Sequence, residues 1–463
     1  MSFPDLRAFL DYLEERGELA RIDDEVDPRF EISAWIRKTS DLGGPTLLFN
    51  RVKGSEMRVA GGVFANPIKA LLALETTDHR AAVDRFIRGL DHPIAPVVVQ
   101  DGPCHEVVWT GDEIDLRRLP IPTYSEQDGG KFVTVGVGVC RTPDGTQNAG
   151  VYRMQYHGPR TLGLAASPYT DFDAIRVAAE RDGRSLEFAV AIGIDPVIHL
   201  ATQARVPFGT DEFAIAGGLR GAPVELVRCR TVDLDVPATT EIVIEGVFRP
   251  GIRHPEGPFG EFSGYVGPGN DEPVLEVSAI TTRHDPIYQA GLTGIPVTEN
   301  HVMKGLPMEA QLLVTLRETY PDVTAVSFSP EGASEFLCVI GLRQRYAYQA
   351  RNVILAAMGS AGHPKIVVVV DDDIDVYDMA RVWWAIVTRF QPDRDLLVVP
   401  QAAGGQLDPS APAPFTSSLL GIDATRPFNQ PFPEVVRVPG VERIPDPRTR
   451  VRRPASGFSE VRP

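Results

Sequence analysis

The sequence has few cysteines, no excess of basic residues and no long apolar run. Its 463 residues include four cysteines, which lie far apart and form no CxxC pair: Cys104, Cys140, Cys229 and Cys338. This spacing disfavours both a zinc ribbon and a disulfide framework. Acidic residues outnumber basic ones by 62 to 46, and the resulting net charge of -16 disfavours a nucleic-acid duplex as partner. No apolar run approaches the ~18 residues of a membrane span.

Several common catalytic and targeting signatures are also missing. The sequence contains no Walker A motif, no GxSxG elbow and no HExxH pair, and no GxGxxG follows a predicted strand. The first residues show no basic region followed by an apolar run, as a secretory signal would have. We therefore expect a cytoplasmic protein with no membrane partner and no nucleic-acid partner.

The order of helix and strand patterns divides the chain into three parts and a tail. The predicted parts are an N-terminal α/β region, a central strand-rich domain, a C-terminal α/β domain and an irregular tail, at residues 1–104, 105–300, 301–440 and 441–463. Helices are predicted inside the central domain at 172–181 and 211–218. From about residue 401 the chain is rich in proline and predicted to be irregular, and it ends in a basic stretch from Arg448 to Arg453. The fold class is α/β (α+β), with an antiparallel barrel or sandwich at the centre.

One stretch has two glutamates five residues apart on a segment that cannot be helical. Residues 254–261 read HPEGPFGE, in which the prolines fix φ and the glycines allow tight bends. Two acidic side chains on a stiff loop suit general acid–base chemistry, because one can hold a proton while the other stays charged. Taken alone, the stretch favours a surface turn in which Glu256 and Glu261 are solvated.

A second stretch, NAGVYRMQ at residues 148–155, is predicted to be a strand of a hairpin. Side chains at even separations share a face of a strand, so Asn148 and Arg153 fall on opposite faces unless a bulge near Gly150 brings them together. The Arg153 guanidinium can bind a substrate carboxylate or a nearby glutamate through two parallel hydrogen bonds. The alternative is an arginine on the rim of the sheet.

Two acidic stretches offer candidate ligands for a divalent cation. Asp211 and Glu212 begin a predicted short helix, where they favour the helix dipole, but Glu212 is also a candidate oxygen ligand. Glu225 is a weaker candidate that we expect to face water. The run DDDID at residues 371–375 follows an apolar strand, where it either binds a cation at the ligand-binding edge of the sheet or caps the next helix. We favour the cap.

Together, these stretches resemble the UbiD family of prenylated-flavin-dependent decarboxylases. The matching sequences are NAGVYR at 148–153, DE at 211–212, AGGLR at 216–220, PEGPFGE at 255–261 and DDID at 372–375. The resemblance extends from the first helix to about residue 400. It implies a flavin-binding, split-β-barrel-like central domain, and a homodimer formed through the C-terminal domain.

The resemblance also implies a reaction and a cofactor. The reaction is a reversible, non-oxidative decarboxylation of an aromatic, heteroaromatic or α,β-unsaturated carboxylic acid. The cofactor is prenylated FMN, which a separate flavin prenyltransferase supplies. A divalent cation, Mn2+ or Mg2+, and a nearby K+ would hold the phosphate of the flavin.

Individual residues acquire implied roles in the same way. Arg153, Glu256 and Glu261 would form a Glu–Arg–Glu acid–base network, with Glu261 as proton donor or acceptor. Asn148 and Glu212 match two ligands of the divalent cation and are also implied cofactor contacts. The other implied cofactor contacts are Val151, Tyr152, Arg153, Gln155, Thr170, Asp171 and Lys365.

One position departs from the family pattern. The family supplies a histidine as the third cation ligand after the NAGxxR strand, but no histidine occurs here between His157 and His199. Thr170 and Asp171 lie closest to the expected place, and Asp171 would offer an oxygen ligand that Mn2+ or Mg2+ accepts. If Asp171 does not take the place of the histidine, the cation site binds its metal more weakly than the family's site does. The departure does not affect the predicted Glu–Arg–Glu network.

The chemistry of decarboxylation agrees with these roles. Loss of CO2 from an sp2 carbon leaves a carbanion-like centre unless an electron sink accepts the charge, and a cofactor is the usual sink. The carbon then needs a proton, which a buried glutamic acid can deliver while an arginine keeps a second glutamate ionised. We expect the active site between the central and C-terminal domains.

Two rival functions belong to other classes. The first is a non-catalytic flavin-binding or assembly protein that keeps the fold, which the missing histidine motivates. The second is a two-carboxylate hydrolase built on Glu256 and Glu261. The hydrolase explains neither Arg153 nor Glu212, so we disfavour it.

Overall fold

The computed structural model describes residues 3–168, 170–413 and 415–447. The basic stretch predicted from Arg448 to Arg453 lies outside these ranges. Within them, no helix combines the length and the apolar composition needed to cross a bilayer. Short 3₁₀ helices connect the longer elements at Pro103–His105, Gly111–Glu113, Leu116–Arg118, Pro330–Gly332 and Val441–Arg443.

Residues 3–91 contain four α-helices and three strands. These elements are α1 (Leu6–Glu15), β1 (Leu19–Val26), α2 (Glu31–Leu42), β2 (Thr46–Val52), β3 (Arg58–Gly61), α3 (Pro67–Ala73) and α4 (His79–Asp91). Helix α1 forms because Leu6, Phe9 and Leu13 recur on one buried face, and because Asp5 caps its N-terminus. The sequence pattern does not predict β1, since half of its residues are charged and it lies at the edge of its sheet.

The central region forms a closed barrel. Its elements are β4 (Val97–Val99), β5 (Val107–Thr110), β6 (Phe132–Arg141), β7 (Gln147–Gly158), β8 (Thr161–Leu164), α5 (Asp171–Arg181), β9 (Leu186–Ile192), α6 (Pro196–Ala201), α7 (Glu212–Arg220), β10 (Glu225–Arg228), β11 (Asp235–Pro237), β12 (Ile242–Glu256), β13 (Phe259–Gly260), β14 (Val266–Gly267), β15 (Asn270–Thr282) and β16 (Ile287–Ala290). Six antiparallel strands follow one another in the order β12-β9-β6-β7-β8-β15, and β15 pairs back onto β12. This closure confirms the predicted barrel-like centre with inserted helices.

Two strand pairs connect the predicted N-terminal part, residues 1–104, to the predicted central part, residues 105–300. Strand β16 extends the N-terminal sheet by pairing with β3, and β4 pairs with β10. Both pairs connect residues on either side of the predicted boundary between residues 104 and 105. The sequence shows neither pair, because both depend on the tertiary arrangement of short strands.

The hairpin β6–β7 contains one register shift. It lies on β6 between Val133 and Gly136, opposite Arg153, whereas pairing around Gly150 is regular. Of the two alternatives left open by the sequence, the regular strand is therefore confirmed, and the bulge near Gly150 does not occur. The extra residue on β6 is fixed from outside the hairpin, where the Thr134 hydroxyl donates over 2.6 Å to a main-chain oxygen 157 residues away. A contact of that range leaves no signal in the strand sequence.

The regular alternation of β7 places Asn148 and Arg153 on opposite faces. Val151 packs against one hydrophobic cluster, whereas Tyr152 packs against another. Because side chains alternate along a strand, Arg153 shares the face of Val151 and Asn148 shares the face of Tyr152. Strand β7 thus presents one candidate residue to each side of the barrel wall.

The C-terminal region is a five-stranded mixed sheet with helices. Its elements are α8 (Glu299–Thr319), β17 (Val323–Phe328), β18 (Leu337–Leu342), α9 (Gln349–Met358), β19 (Ile366–Asp371), α10 (Met379–Arg389), α11 (Pro392–Asp395), β20 (Leu396–Ala403) and β21 (Thr416–Ala424). The strand order is β17-β18-β19-β21-β20. The prediction of irregular structure from about residue 401 is therefore wrong for β21. Strand β21 itself contains no proline and pairs on both sides.

The acidic run after β19 binds an arginine rather than a helix N-terminus. Asp371 and Asp373 each accept a hydrogen bond of 2.8 Å from Arg389. Helix α10 is capped by Asp378, whose side chain accepts from the Arg381 amide. The favoured prediction that the run caps this helix is wrong, because the helix begins further along the chain.

Candidate active site

Arg153, Glu256 and Glu261 meet in one ion-pair network. The Arg153 guanidinium donates to both carboxylate oxygens of Glu256, from Nε over 3.1 Å and from Nη2 over 3.0 Å. Its remaining nitrogen, Nη1, donates to Oε1 of Glu261. The Glu256 side chain is 1% exposed, whereas those of Glu261 and Arg153 are 11% and 17% exposed. Glu256 is thus fixed by a fork of two bonds, while Glu261 is held through one oxygen closer to solvent.

The network joins β7 to the end of β12 and to the loop that follows. Glu256 is the last residue of β12, and Glu261 comes directly after β13. The guanidinium carbon of Arg153 lies 5.2 Å from the centroid of the Phe259 ring, a cation–π contact. The Glu261 N–H donates over 2.9 Å to the Tyr265 carbonyl oxygen. As the prolines and glycines predict, residues 254–261 are not helical.

Gln155 connects β7 to the same loop. Its Oε1 accepts a hydrogen bond of 2.7 Å from the Gly257 N–H, and its side chain is buried. The structure therefore places Gln155 against the backbone between the two glutamates. Its contact with a cofactor stays a prediction.

Asn148 and Glu212 form a second cluster at the N-terminus of α7. Glu212 accepts from the Asn148 amide over 3.3 Å and from the Ala149 N–H over 2.8 Å. Burial raises the pKa of Glu212 to about 8; the Ala149 hydrogen bond opposes this rise and the Asp171 carboxylate adds to it. A positive charge at this place would stabilise the ionised form of Glu212.

The oxygen atoms of this second cluster fit a hard divalent cation. Carboxylate and amide oxygens, as in Glu212, Asp171 and Asn148, are the ligands that Mg2+ and Mn2+ prefer. Burial also raises the pKa of Asp171, so a cation would favour ionisation of both carboxyls. Among the described residues, no three His, Cys, Asp or Glu side chains are grouped to hold a metal ion. A cation at this place would thus depend on two carboxylates and the Asn148 amide.

Two further predicted contact residues lie near the second cluster. The Tyr152 ring packs against Phe172 with centroids 5.2 Å apart, and the nearby Glu212 and Asp171 charges join burial in raising the pKa of Tyr152. Thr170 caps helix α5, where its hydroxyl accepts from a main-chain N–H over 3.3 Å. The structure thus brings Tyr152 close to the predicted cation ligands and uses Thr170 in a helix cap.

Lys365 and Glu225 lie elsewhere. The Lys365 ammonium is 2.8 Å from an oxygen of Asp408 and also contacts the Ser410 hydroxyl, in the C-terminal region. These contacts do not bring it together with either cluster, and its role towards a cofactor stays a prediction. Glu225 is exposed on β10, as expected for a residue facing water.

One carboxylate beside the ion-pair network, Glu272 of β15, is not indicated by any sequence motif. Burial raises its pKa and the Glu256 carboxylate raises it further, whereas hydrogen bonding to Ala166 and the charge of Arg153 lower it. Its Oε2 accepts from the Ala166 N–H over 3.2 Å. Glu272 lies opposite His254 in the pairing of β12 with β15. The sequence does not show this strand register, so it could not indicate that Glu272 lies near Glu256.

A cavity of about 480 Å3 opens beside the β6–β7 hairpin, and its walls include Arg141, Arg184 and Glu187. None of the predicted site residues lines it. The Arg141 guanidinium is 3.1 Å from Asp235, and Glu187 accepts from the Asp233 N–H. This cavity therefore lies apart from the two clusters that contain the predicted site residues.

Three family models match the chain in order. The N-terminal, Rift-related and C-terminal domain models of 3-octaprenyl-4-hydroxybenzoate carboxy-lyase match residues 10–88, 96–296 and 301–424. Both clusters lie within the middle match. Lys365 lies within the match to the C-terminal domain model.

Several proteins are similar over nearly the whole chain. One similar structure is that of the UbiD-class enzyme HmfF from Pelotomaculum thermopropionicum in complex with FMN. Its sequence is 39% identical to this chain, the match covers 95% of this chain and 99% of that one, and the TM-score is 0.89. An evolved dimeric form of HmfF in complex with prFMN is 37% identical, with a TM-score of 0.87 over 95% and 98%. Vanillic acid decarboxylase from Sedimentibacter hydroxybenzoicus, in a closed form, is 31% identical, with a TM-score of 0.87 over 96% and 98%. An uncharacterised protein from Archaeoglobus fulgidus is 35% identical in an alignment of 466 positions, which covers 95% of this chain and 96% of that one.

Identity of this extent over the full length of both chains indicates common descent and not only a common fold. It confirms the resemblance that the PEGPFGE and NAGxxR stretches show in the sequence. It also confirms the predicted class of enzyme, a decarboxylase. The chain belongs to the UbiD family of carboxy-lyases.

Proposed function

We propose that this chain decarboxylates an aromatic, heteroaromatic or α,β-unsaturated carboxylic acid, reversibly and without net oxidation, with prenylated FMN as cofactor. The observation that supports this most directly is the contact of one guanidinium with two glutamates of unequal exposure, Glu256 and Glu261. The similar proteins agree with it, since one is a vanillic acid decarboxylase and HmfF has been solved with FMN and with prFMN.

Glu261 is the proton donor in this proposal. Replacing a carboxylate by hydrogen requires one proton at the carbon that loses CO2. Neutral Glu261 delivers it and becomes a carboxylate, which Arg153 stabilises through Nη1. Glu261 then recovers a proton from solvent, to which it is partly exposed. In the reverse direction, the Glu261 carboxylate accepts the proton from the carbon.

Glu256 keeps the arginine oriented. It occupies two of the three guanidinium nitrogens of Arg153 and is almost completely buried. Rotating Arg153 away from Glu261 would break two charge-assisted hydrogen bonds, each worth about 1.5–3 kcal/mol. Arg153 therefore stays available to stabilise the Glu261 carboxylate after proton transfer.

The second cluster is the proposed cation site. Asn148, Glu212 and Asp171 would hold Mn2+ or Mg2+, with K+ nearby, and the divalent cation would bind the phosphate of the flavin. Prenylated FMN, when bound, supplies the electron sink that loss of CO2 requires. The other proposed cofactor contacts are Val151, Tyr152, Arg153, Gln155, Thr170 and Lys365.

The proposed function also has consequences for the oligomeric state, the cellular location and the supply of cofactor. We propose a cytoplasmic homodimer formed through residues 301–440, supplied with cofactor by a separate flavin prenyltransferase. The similar HmfF has an evolved form that is dimeric. The molar mass of the purified chain in solution tests the dimer.

The test of the activity is coexpression with a flavin prenyltransferase, followed by measurement of CO2 release from a panel of aromatic, heteroaromatic and unsaturated acids. With an acid that the wild type accepts, Glu261→Gln should lower kcat by about 10²–10⁴-fold, because an amide cannot donate and recover the proton. Glu225→Gln is the matched control, since Glu225 is exposed on β10, and should keep the wild-type kcat. Full turnover by Glu261→Gln would contradict the proton-donor role.

The rival function, a non-catalytic flavin-binding or assembly protein, predicts a different copurified ligand and no release of CO2. The mass and absorbance of the bound ligand, together with metal analysis, identify what copurifies. A chain without flavin and metal after coexpression, or one with flavin and no CO2 release from any acid, would favour the rival. A chain with prenylated FMN, a divalent cation and CO2 release supports the decarboxylase.

A further inference from the structure

A segment between the N-terminal region and the barrel lies against the loop that holds both glutamates. This segment, residues 122–130, is called the strap. Its first residues are fixed to the N-terminal region: the Thr123 N–H donates to Pro28, the Thr123 carbonyl oxygen accepts from Phe30, and the Tyr124 carbonyl oxygen accepts from the Ser33 hydroxyl over 2.7 Å. The strap therefore connects the N-terminal region to the glutamate loop.

Asp128 is the side chain of the strap that bonds to this loop. Its Oδ1 accepts from the Gly260 N–H over 3.1 Å and from the Ser125 hydroxyl over 2.8 Å. Its Oδ2 accepts from the N–H groups of Tyr124 and Ser125 over 3.2 Å and 2.8 Å. Three of these bonds fix the carboxylate within the strap, and the fourth fixes the residue directly before Glu261.

Gly129 brings the strap backbone into close contact with the same loop. Its N–H donates over 2.8 Å to the Pro258 carbonyl oxygen. A Cβ added at Gly129 would lie 2.2 Å from the Gly257 carbonyl oxygen, which is closer than any side chain allows. The loop is thus fixed by the strap at two points between Glu256 and Glu261.

We propose that Asp128 is a positioning residue, which sets the place of Glu261 through the Gly260 N–H. The inference rests on the proposed function, in which Glu261 transfers a proton to and from carbon. Proton transfer requires the donor within about 2.6–3.2 Å of its target. A displacement of about 1 Å at a reacting group can lower the rate by about 10²-fold. The short β13–β14 pair, the Gln155 bond to Gly257 and the Glu261 N–H bond help to hold the loop, and the strap adds its contacts at Pro258 and Gly260.

The test uses the holoenzyme, coexpressed with a flavin prenyltransferase, and an acid that the wild type accepts. Asp128→Ala should lower kcat by about 10–100-fold with KM changed less than about threefold, because substrate binding is kept and proton transfer is impaired. The rate at which the enzyme exchanges the hydrogen on the reacting carbon of added product for deuterium from D2O should fall by a similar factor, since this exchange depends on the same proton transfer. Asp128→Asn keeps one acceptor oxygen and should recover part of the loss. Glu126→Ala, an exposed acid of the same strap, is the matched control and should behave like the wild type.

A second variant distinguishes displacement of the glutamate loop from misfolding of the strap caused by loss of the Asp128 side chain. Gly129→Ala keeps Asp128 and all four hydrogen-bond donors to its carboxylate, yet its methyl group displaces the Gly257 backbone. We therefore expect kcat and deuterium exchange, each measured per folded protein, to fall in the same way. The inference is overturned if both variants keep the wild-type kcat and exchange, or if kcat falls only in proportion to folded protein. A wild type that releases CO2 from no acid and exchanges no proton would overturn the proposed function, and this inference with it. An active wild type beside unaffected variants would overturn the inference alone.

Discussion

Removing Arg153 should destabilise the fold as well as the reaction. Arg153→Met keeps most of the apolar stem and removes the charge, so the three hydrogen bonds to Glu256 and Glu261 are lost. Removing one partner of a buried ion pair costs about 3–5 kcal/mol, because the other charge stays buried and unpaired. Glu256 meets this condition at 1% exposure, while Glu261 at 11% can partly turn to water. We therefore expect the free energy of unfolding to fall by about 3–5 kcal/mol, most of it from Glu256.

Urea unfolding followed by tryptophan fluorescence measures this change as a shift of the midpoint. The matched control is Arg160→Met, which removes an arginine from an ion pair with Asp112 in which the two side chains are 48% and 108% exposed. Exposed pairs contribute little, so the control should unfold at the wild-type midpoint. Equal midpoints for Arg153→Met and the wild type would refute the reasoning, since a buried unpaired Glu256 could not be tolerated at no cost.

A double-mutant cycle separates the ion pair from the loss of the side chain. Glu256→Gln removes the negative charge, so Arg153→Met should cost less in that background than in the wild type. The expected coupling is about 0.5–3 kcal/mol, which is typical of residues in direct contact. Additive effects of the two substitutions would mean that Arg153 and Glu256 do not stabilise each other.

Two remaining predictions concern buried glutamates outside the network. Glu212→Gln should lower the affinity for Mn2+ or Mg2+ by about 10-fold or more, because an anionic oxygen is lost. Metal analysis of the purified variant measures this, with Glu225→Gln as the control. An unchanged metal content in Glu212→Gln would contradict the proposed cation site. Burial raises the pKa of Glu299 from 4.5 to about 7, so the folded state favours the protonated carboxyl and stability is lost as pH rises through that range. Glu299→Gln mimics the neutral form and should remove this dependence, on the order of 3 kcal/mol, from urea midpoints measured between about pH 5 and pH 8.

The residues of the ion-pair network could be predicted from the sequence, but their geometry could not. Proline and glycine around Glu256 and Glu261 predict an extended loop, and the structure has one. Yet 103 residues separate Arg153 from Glu256, and nothing in the sequence of β7 shows that its arginine faces the end of β12. That proximity follows from the closure of the barrel, which depends on the pairing of β15 with both β8 and β12.

Local patterns failed where a distant partner decides the structure. Aspartates after a strand are typical of a helix cap, but Asp371 and Asp373 bind Arg389, near the end of the following helix. In the same way, a proline-rich context predicts irregular structure around residue 401. Strand β21 forms nevertheless, because β19 and β20 supply main-chain partners on both of its sides.

The positions of the two clusters on β7 limit what one ligand can contact. Five residues separate Asn148 from Arg153, and a strand rises about 3.3 Å per residue, so their Cα atoms lie roughly 16 Å apart. Their side chains also leave the strand on opposite faces. A small aromatic acid at the Arg153–Glu261 end cannot reach the Asn148–Glu212 end. The Asn148–Glu212 cluster therefore lies too far away to serve the small acid, and in the proposed function it would instead hold the cation that anchors an extended cofactor.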